Sequence, residues 1–102
     1  MIHIVAVLTA KNGHRPALLA AFTAIIPAVR AEPGCIEYEP VIDLDSSVAK
    51  FGADAVVVIE KWKDQASLDA HNQGAALKGF LEASRHILAQ ADVYLLQGTQ
   101  AS

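Results

Sequence analysis

Four side chains in this 102-residue sequence are of kinds that handle protons beside an apolar surface: Tyr38, Glu60, Trp62 and His71. A free imidazole titrates at about 6.5, so His71 is able to take or give a proton near neutrality. Nine residues before it stands Trp62, the only tryptophan, at the end of the apolar run "AVVVIEKW". Glu60 shares strand parity with Trp62, so it could point to the same side and orient a base or a substrate hydroxyl. Tyr38 offers a hydroxyl to a polar substrate group. Each has a plainer reading as well. A histidine near a helix C-terminus meets the dipole favourably, and a tryptophan at a strand end is ordinary core. A glutamate at the core edge pairs with a surface lysine, and a strand tyrosine is half-buried.

The remaining chemistry-bearing residues are poorly grouped. His3, His14 and His86 fall in separate elements, a spacing that suits no metal site. His3 belongs to the outer side of its strand, His14 to a turn, and His86 to a surface pair with Glu82. Cys35 follows Pro33-Gly34 with no base near it in sequence, so a catalytic thiol is not expected. There is no phosphate-cradling glycine loop, no HExxH, no paired cysteines and no nucleophile elbow. No metal and no cofactor are expected.

The positioning elements follow from periodicity. Met1–Ala10 is β-branched and apolar, a first strand, and Lys11-Asn12-Gly13 is turn chemistry. A helix begins at Arg15 with Pro16 in its first turn. Leu18, Phe22, Ile25, Ile26 and Val29 form one stripe, with Pro27 inside it expected to kink the helix or reset its last turn. Cys35–Asp43 is a second strand, residues 43–54 a polar loop, and Ala55–Trp62 the third strand. Asp64 caps a short helix ending near His71. Gly74 interrupts. A further helix is expected over Ala75–Ala91 with Leu77, Phe80, Leu81, Ser84, Ile87 and Leu88 facing inward, then a last strand over Val93–Leu96. The order β-α-β-β-α-β is the ferredoxin-like split βαβ, an α+β fold. It gives a four-stranded antiparallel sheet with helices on one face and the first and third strands central. The whole chain, 1–102, is expected to be one such domain.

Composition narrows the function classes. Apolar residues make up 53 % and charged residues 19 %, enough for a core. Net charge is −3 and the eight Lys and Arg form no basic run, so neither nucleic acid nor an anionic membrane is the expected partner. The lone cysteine forms no internal disulfide, and no apolar run is long enough to span a bilayer. The expectation is a cytoplasmic protein.

Both faces of both central strands are apolar: Ile2, Ile4, Ala6 and Leu8 alternate with Val5 and Val7, and Val56 and Val58 with Val57 and Ile59. Helices cover one face only. An antiparallel sheet with one wet face alternates apolar and polar residues, and this one does not. The expected cover is a second copy, giving a homodimer through sheet-to-sheet packing, a dimeric α+β barrel.

The run "PGCIEYEP" (33–40), then "VIEKW" and "LDAH", resembles the antibiotic biosynthesis monooxygenase (ABM) family, and "IIPAVRAEPGCIEY" with the long loop before the third strand resembles its small bacterial quinol monooxygenases. The resemblance spans residues 2–97. It implies a dimeric barrel and a cofactor-independent monooxygenase oxidising a quinol or polycyclic phenol with O₂ to a quinone. It places His71, Trp62 and Glu60 as catalytic candidates and Tyr38, Phe80 and Leu77 as substrate-binding candidates. Relatives carry a second histidine in a His-x-x-x-Pro-His pattern; here "HNQGAAL" puts Ala76 in its place, so a two-histidine relay is not expected. Haem-degrading relatives carry an asparagine where this chain has Ala6. Two alternatives remain open from sequence. One is an isomerase or degradative enzyme for a small signalling or hydroxy-carbonyl metabolite. The other is a non-catalytic dimeric binder of a hydrophobic small molecule.

Overall fold

The computed structural model describes residues 1–100. The elements run β1 (Ile2–Ala10), α1 (Arg15–Arg30), β2 (Cys35–Val41), β3 (Ala55–Trp62), α2 (Gln65–Asn72), α3 (Ala75–Ser84) and β4 (Leu88–Gln97). The strands form one antiparallel sheet in the order β2-β3-β1-β4, so β1 and β3 are central as their composition requires. The second crossover helix is divided in two at Gly74, whose backbone N–H turns back to the His71 carbonyl.

Register puts the alternating residues on defined faces. Ile4 lies opposite Glu60, Ala6 opposite Val58, and Leu8 opposite Val56. These residues are buried and face the helices. Leu18, Phe22 and Val29 of α1 are buried against them, with Ile25 and Ile26 packed at the margin. Phe22 meets Phe80 of α3 with ring centroids 4.2 Å apart, tying the two helices together over the sheet. Pro27 neither ends nor resets α1. The helix runs on to Arg30, and Pro27 still accepts through its carbonyl from Ala31.

Three elements differ in their bounds from the sequence expectation. The helix expected over Ala75–Ala91 ends at Ser84, and the strand expected over Val93–Leu96 spans Leu88–Gln97. Ser84 turns its hydroxyl back onto the Phe80 carbonyl at 2.7 Å. The Ile87 N–H then closes on the Ser84 carbonyl, and the Ile87 carbonyl accepts from Lys11. That pulls the chain onto β1, which it pairs along nearly its whole length. Pairing a central strand's open edge satisfies more backbone groups than another helical turn would. The strand expected over Cys35–Asp43 ends at Val41, because the Asp43 carboxylate is used to accept the N–H groups of Phe51 and Gly52 across the loop. That loop, read as polar, exposes Leu44, Val48 and Phe51 at its tip.

On the face away from the helices Val5, Val7 and Ile59 are half-buried, while Tyr94 and Leu96 are exposed. The helices also stop short of β4, so its helix-side residues Val93 and Leu95 remain more than half exposed. Among the described residues no helix is long and apolar enough to cross a membrane.

Candidate active site

The site forms where β2 begins, β3 ends and α2 closes. Cys35 lies opposite Trp62 in the sheet, so the chain entering β2 and the chain leaving β3 are neighbours. Asp64 then caps α2, accepting from the Ser67 N–H at 2.9 Å and from its hydroxyl at 2.7 Å. With the helix start fixed, Leu68 and His71, three residues apart, share its buried face.

The turn between α1 and β2 comes down on this helix start. Gly34 has φ +82°, and a Cβ there would sit 2.0 Å from Ser67 Oγ, so no other residue allows this approach. The Gly34 carbonyl accepts from the Lys63 N–H at 2.9 Å. Together these contacts carry Glu32 over His71. His71 Nδ1 donates to Glu32 Oε1 at 2.6 Å. An ionised carboxylate only accepts, so Nδ1 is the donor in this contact, and whenever the ring is neutral its lone pair is on Nε2. Gly74 lies on the other side of the carboxylate, where a Cβ would make an ordinary contact with Glu32 Oε2 at 3.5 Å.

Trp62 backs the group. It is fully buried, its ring centroid is 4.6 Å from that of His71, and its Nε1 donates to Glu60 Oε1 at 2.9 Å. Tyr38 meets the imidazole edge-on, with centroids 5.7 Å apart. In front lies a cavity of about 250 Å³ between the helices and the sheet. Tyr38, Glu60 and His71 supply its polar groups, while Leu77, Phe80, Leu81, Val93 and neighbouring small residues supply an apolar lining. The volume is just under the roughly 300–1,000 Å³ of drug-sized sites, room for a small ligand.

Of the six residues singled out from the sequence, Tyr38, Glu60, His71, Leu77 and Phe80 line this cavity. Trp62 does not line it. It stands behind Glu60 and His71 and holds both in place, a correction to the expectation that the indole faces the chamber. Glu32 was missed. It lies in a turn, outside any strand or helix pattern, and its one sequence signal is its place three residues before the strand start that opposes Trp62. The other histidines are elsewhere: His3 is on the outer sheet face, His14 precedes α1, and His86 is exposed in the turn before β4 without the Glu82 pairing expected of it. Among the described residues no group of three or more His, Cys, Asp or Glu is placed to hold a metal ion.

Burial sets the electrostatics. It pushes the Glu60 carboxyl above its ordinary range, opposed by the Trp62 N–H and by His71, while Glu32 adds to the rise. Burial likewise drives the Tyr38 hydroxyl far up, helped by Glu60 and Glu32, so it stays a neutral donor. The Cys35 thiol is raised by burial and by the same two carboxylates, the reverse of what a thiolate nucleophile needs. The arrangement thus offers one imidazole with a free nitrogen and one carboxyl that holds its proton more tightly than a solvated one. Both face an apolar space.

Comparison with known proteins gives the chain its relatives. The family described as antibiotic biosynthesis monooxygenase matches residues 1–83. A protein of Escherichia coli K12 named "Probable quinol monooxygenase YgiN" is 33% identical over 101 residues, covering 95% of this chain and 97% of its own. The crystal structure of PA3566 from Pseudomonas aeruginosa superposes with a TM-score of 0.83 at 25% identity, covering 97% of this chain and 94% of that one. That of SO0527 from Shewanella oneidensis gives 0.81 at 29% identity, covering 93% and 87%.

The buried carboxyl leaves a signature in stability. Because the folded Glu60 pKa lies above the 4.5 reference, the native state binds this proton more tightly than the unfolded chain. The group's contribution is therefore fully present below pH 4.5 and is lost as pH rises through the folded value. Glu60→Gln keeps an oxygen for Trp62 and removes the titration. Urea unfolding at several pH values is expected to show the variant gaining on the parent protein above pH 4.5. Parallel pH profiles would contradict the burial argument.

Proposed function

The chain belongs to the antibiotic biosynthesis monooxygenase family, and from that premise we propose that its cavity oxidises a quinol or polycyclic phenol with O₂ to a quinone, without a cofactor. The observation that carries this reading is His71, with Nδ1 tied to Glu32 and its ring lining an otherwise apolar cavity. The family match and the name of the E. coli relative support the reaction class.

The chemistry follows from the groups present. Nε2 of His71 accepts the proton of a phenolic hydroxyl, and Glu32 stabilises the imidazolium that forms. The phenolate is electron-rich enough to pass one electron to O₂. The resulting radical pair joins at a ring carbon to give a peroxide. Loss of water from the peroxide leaves one oxygen atom on the ring as a carbonyl and sends the other out as water. The apolar walls exclude bulk water from the intermediate. Leu77 and Phe80 supply faces for the rings, and Tyr38 remains a hydroxyl donor to a substrate oxygen. Trp62 acts as a positioning residue through Glu60 and His71.

We also propose that a second copy covers the outer sheet face. The support is the row of apolar residues there, Val5, Val7, Ile59, Tyr94 and Leu96, which no helix among the described residues covers. Val7→Glu is expected to convert the protein to a monomer in sedimentation velocity; an unchanged sedimentation coefficient would oppose the pairing.

Replacing the base tests the reaction. In His71→Ala, quinol-dependent O₂ uptake is expected to fall by about 10²- to 10⁴-fold, with quinol affinity changed little. With ¹⁸O₂, one labelled atom is expected in the quinone and one in water. An unchanged uptake rate would remove His71 from the mechanism.

A further inference from the structure

Besides the Tyr38 hydroxyl, an imidazole and a carboxyl line the cavity, and the oxidation above moves a proton through the imidazole alone. His71 is backed by Glu32 at 2.6 Å, and Glu60 by Trp62 at 2.9 Å. The two sets share no hydrogen bond among the described residues, so each group keeps its own partner. The Trp62 N–H occupies one oxygen of Glu60, leaving the other for the cavity that Glu60 lines. No lysine or arginine pairs with Glu60 among the described residues. Removing a phenolic proton needs a base alone. A base and a separate buried acid on one apolar cavity suit a reaction in which a proton leaves one atom of the substrate while another arrives elsewhere.

We propose that this cavity also catalyses an oxygen-independent reaction, keto–enol proton transfer on an enolisable ketone whose α-carbon is benzylic, with His71 as the base and Glu60 as the acid. It rests on the same reading of His71 as a base. His71 Nε2 takes a proton from the carbon next to the carbonyl. The C–H electron pair becomes the new C=C bond, the carbonyl π pair moves to oxygen, and that oxygen takes the Glu60 proton. The ketone becomes its enol, with no electron gained or lost. Imidazolium and carboxylate are left behind, and the reverse step or exchange with solvent resets them. The apolar lining favours the step, because the walls around the substrate offer few polar groups to compete with it. Burial of Glu60 supplies an acid that keeps its proton longer than a surface carboxyl does.

The test uses the full chain, 2-tetralone as the probe, D₂O as solvent and strict exclusion of O₂. Loss of the C1 proton signal in NMR reads the exchange. The protein is expected to accelerate exchange over buffer, and Glu60→Gln and His71→Gln each to lose at least about tenfold of that acceleration. Glu60→Asp, which keeps the acid, is expected to retain more than Glu60→Gln. A fixed base also works on one face, so the unaltered protein is expected to replace one C1 hydrogen well ahead of the other. That readout holds even where a variant does not fold. Exchange no faster than buffer, equal exchange of both hydrogens, or full activity in Glu60→Gln would overturn the proposal. The two readings separate cleanly: O₂ uptake with a quinol but no anaerobic exchange defeats this one, and exchange without O₂ uptake defeats the oxygenase.

Discussion

The contact between Glu32 and His71 is the interaction on which the site depends. It joins residues 39 positions apart across two elements that meet only because β2 begins where β3 ends. The imidazole is 4% exposed and the carboxylate 22%, so solvent and salt screen their interaction less than they would a surface pair. The pairing fixes which ring nitrogen bears hydrogen, and therefore which one meets a substrate. Without it the ring would still be buried, but its tautomer and rotation would be set by packing alone.

Around that contact the fold divides its tasks. Gly34 and Ser67 bring the turn onto the helix, and Asp64 fixes where the helix starts. Trp62 fills the space behind, a large apolar body with one polar handle spent on Glu60. An unpartnered buried carboxyl is costly, and that single N–H offsets part of the cost. The apolar cavity in front then has room to exist because α1 and α3 touch through Phe22 and Phe80 above the sheet instead of collapsing onto it. Among the described residues no helix covers the outer sheet face, where Val5 and Val7 stay half-buried while Val57, in the middle of the sheet, is buried.

Much of this was legible in the sequence. Ala55–Trp62 is a run of β-branched residues that forms a strand almost anywhere, and its bounds were read correctly. Asp64 announced its helix by ordinary capping chemistry. The end of α3 was not legible, because Ile87 and Leu88 continue the helical spacing and no glycine or proline marks the stop. What decides it is the free edge of β1, a tertiary fact. Pro27 does not stop the helix, which runs on to Arg30 with the Pro27 carbonyl still accepting from Ala31. At the site, His71 and Glu60 were found by residue type and parity, whereas Trp62 was assigned to the cavity when it forms the wall behind. Glu32 escaped because a turn residue has no periodicity to betray it.

The most direct measurement of the central claim is the tautomer of His71, read by nitrogen-15 NMR of the ligand-free protein at a pH where the ring is neutral. The account predicts hydrogen on Nδ1 and a bare Nε2, with that preference weakened in Glu32→Gln, whose amide is able to donate to Nδ1 as well as accept from it. Hydrogen on Nε2 in the unaltered protein, or an identical spectrum in the variant, would contradict it.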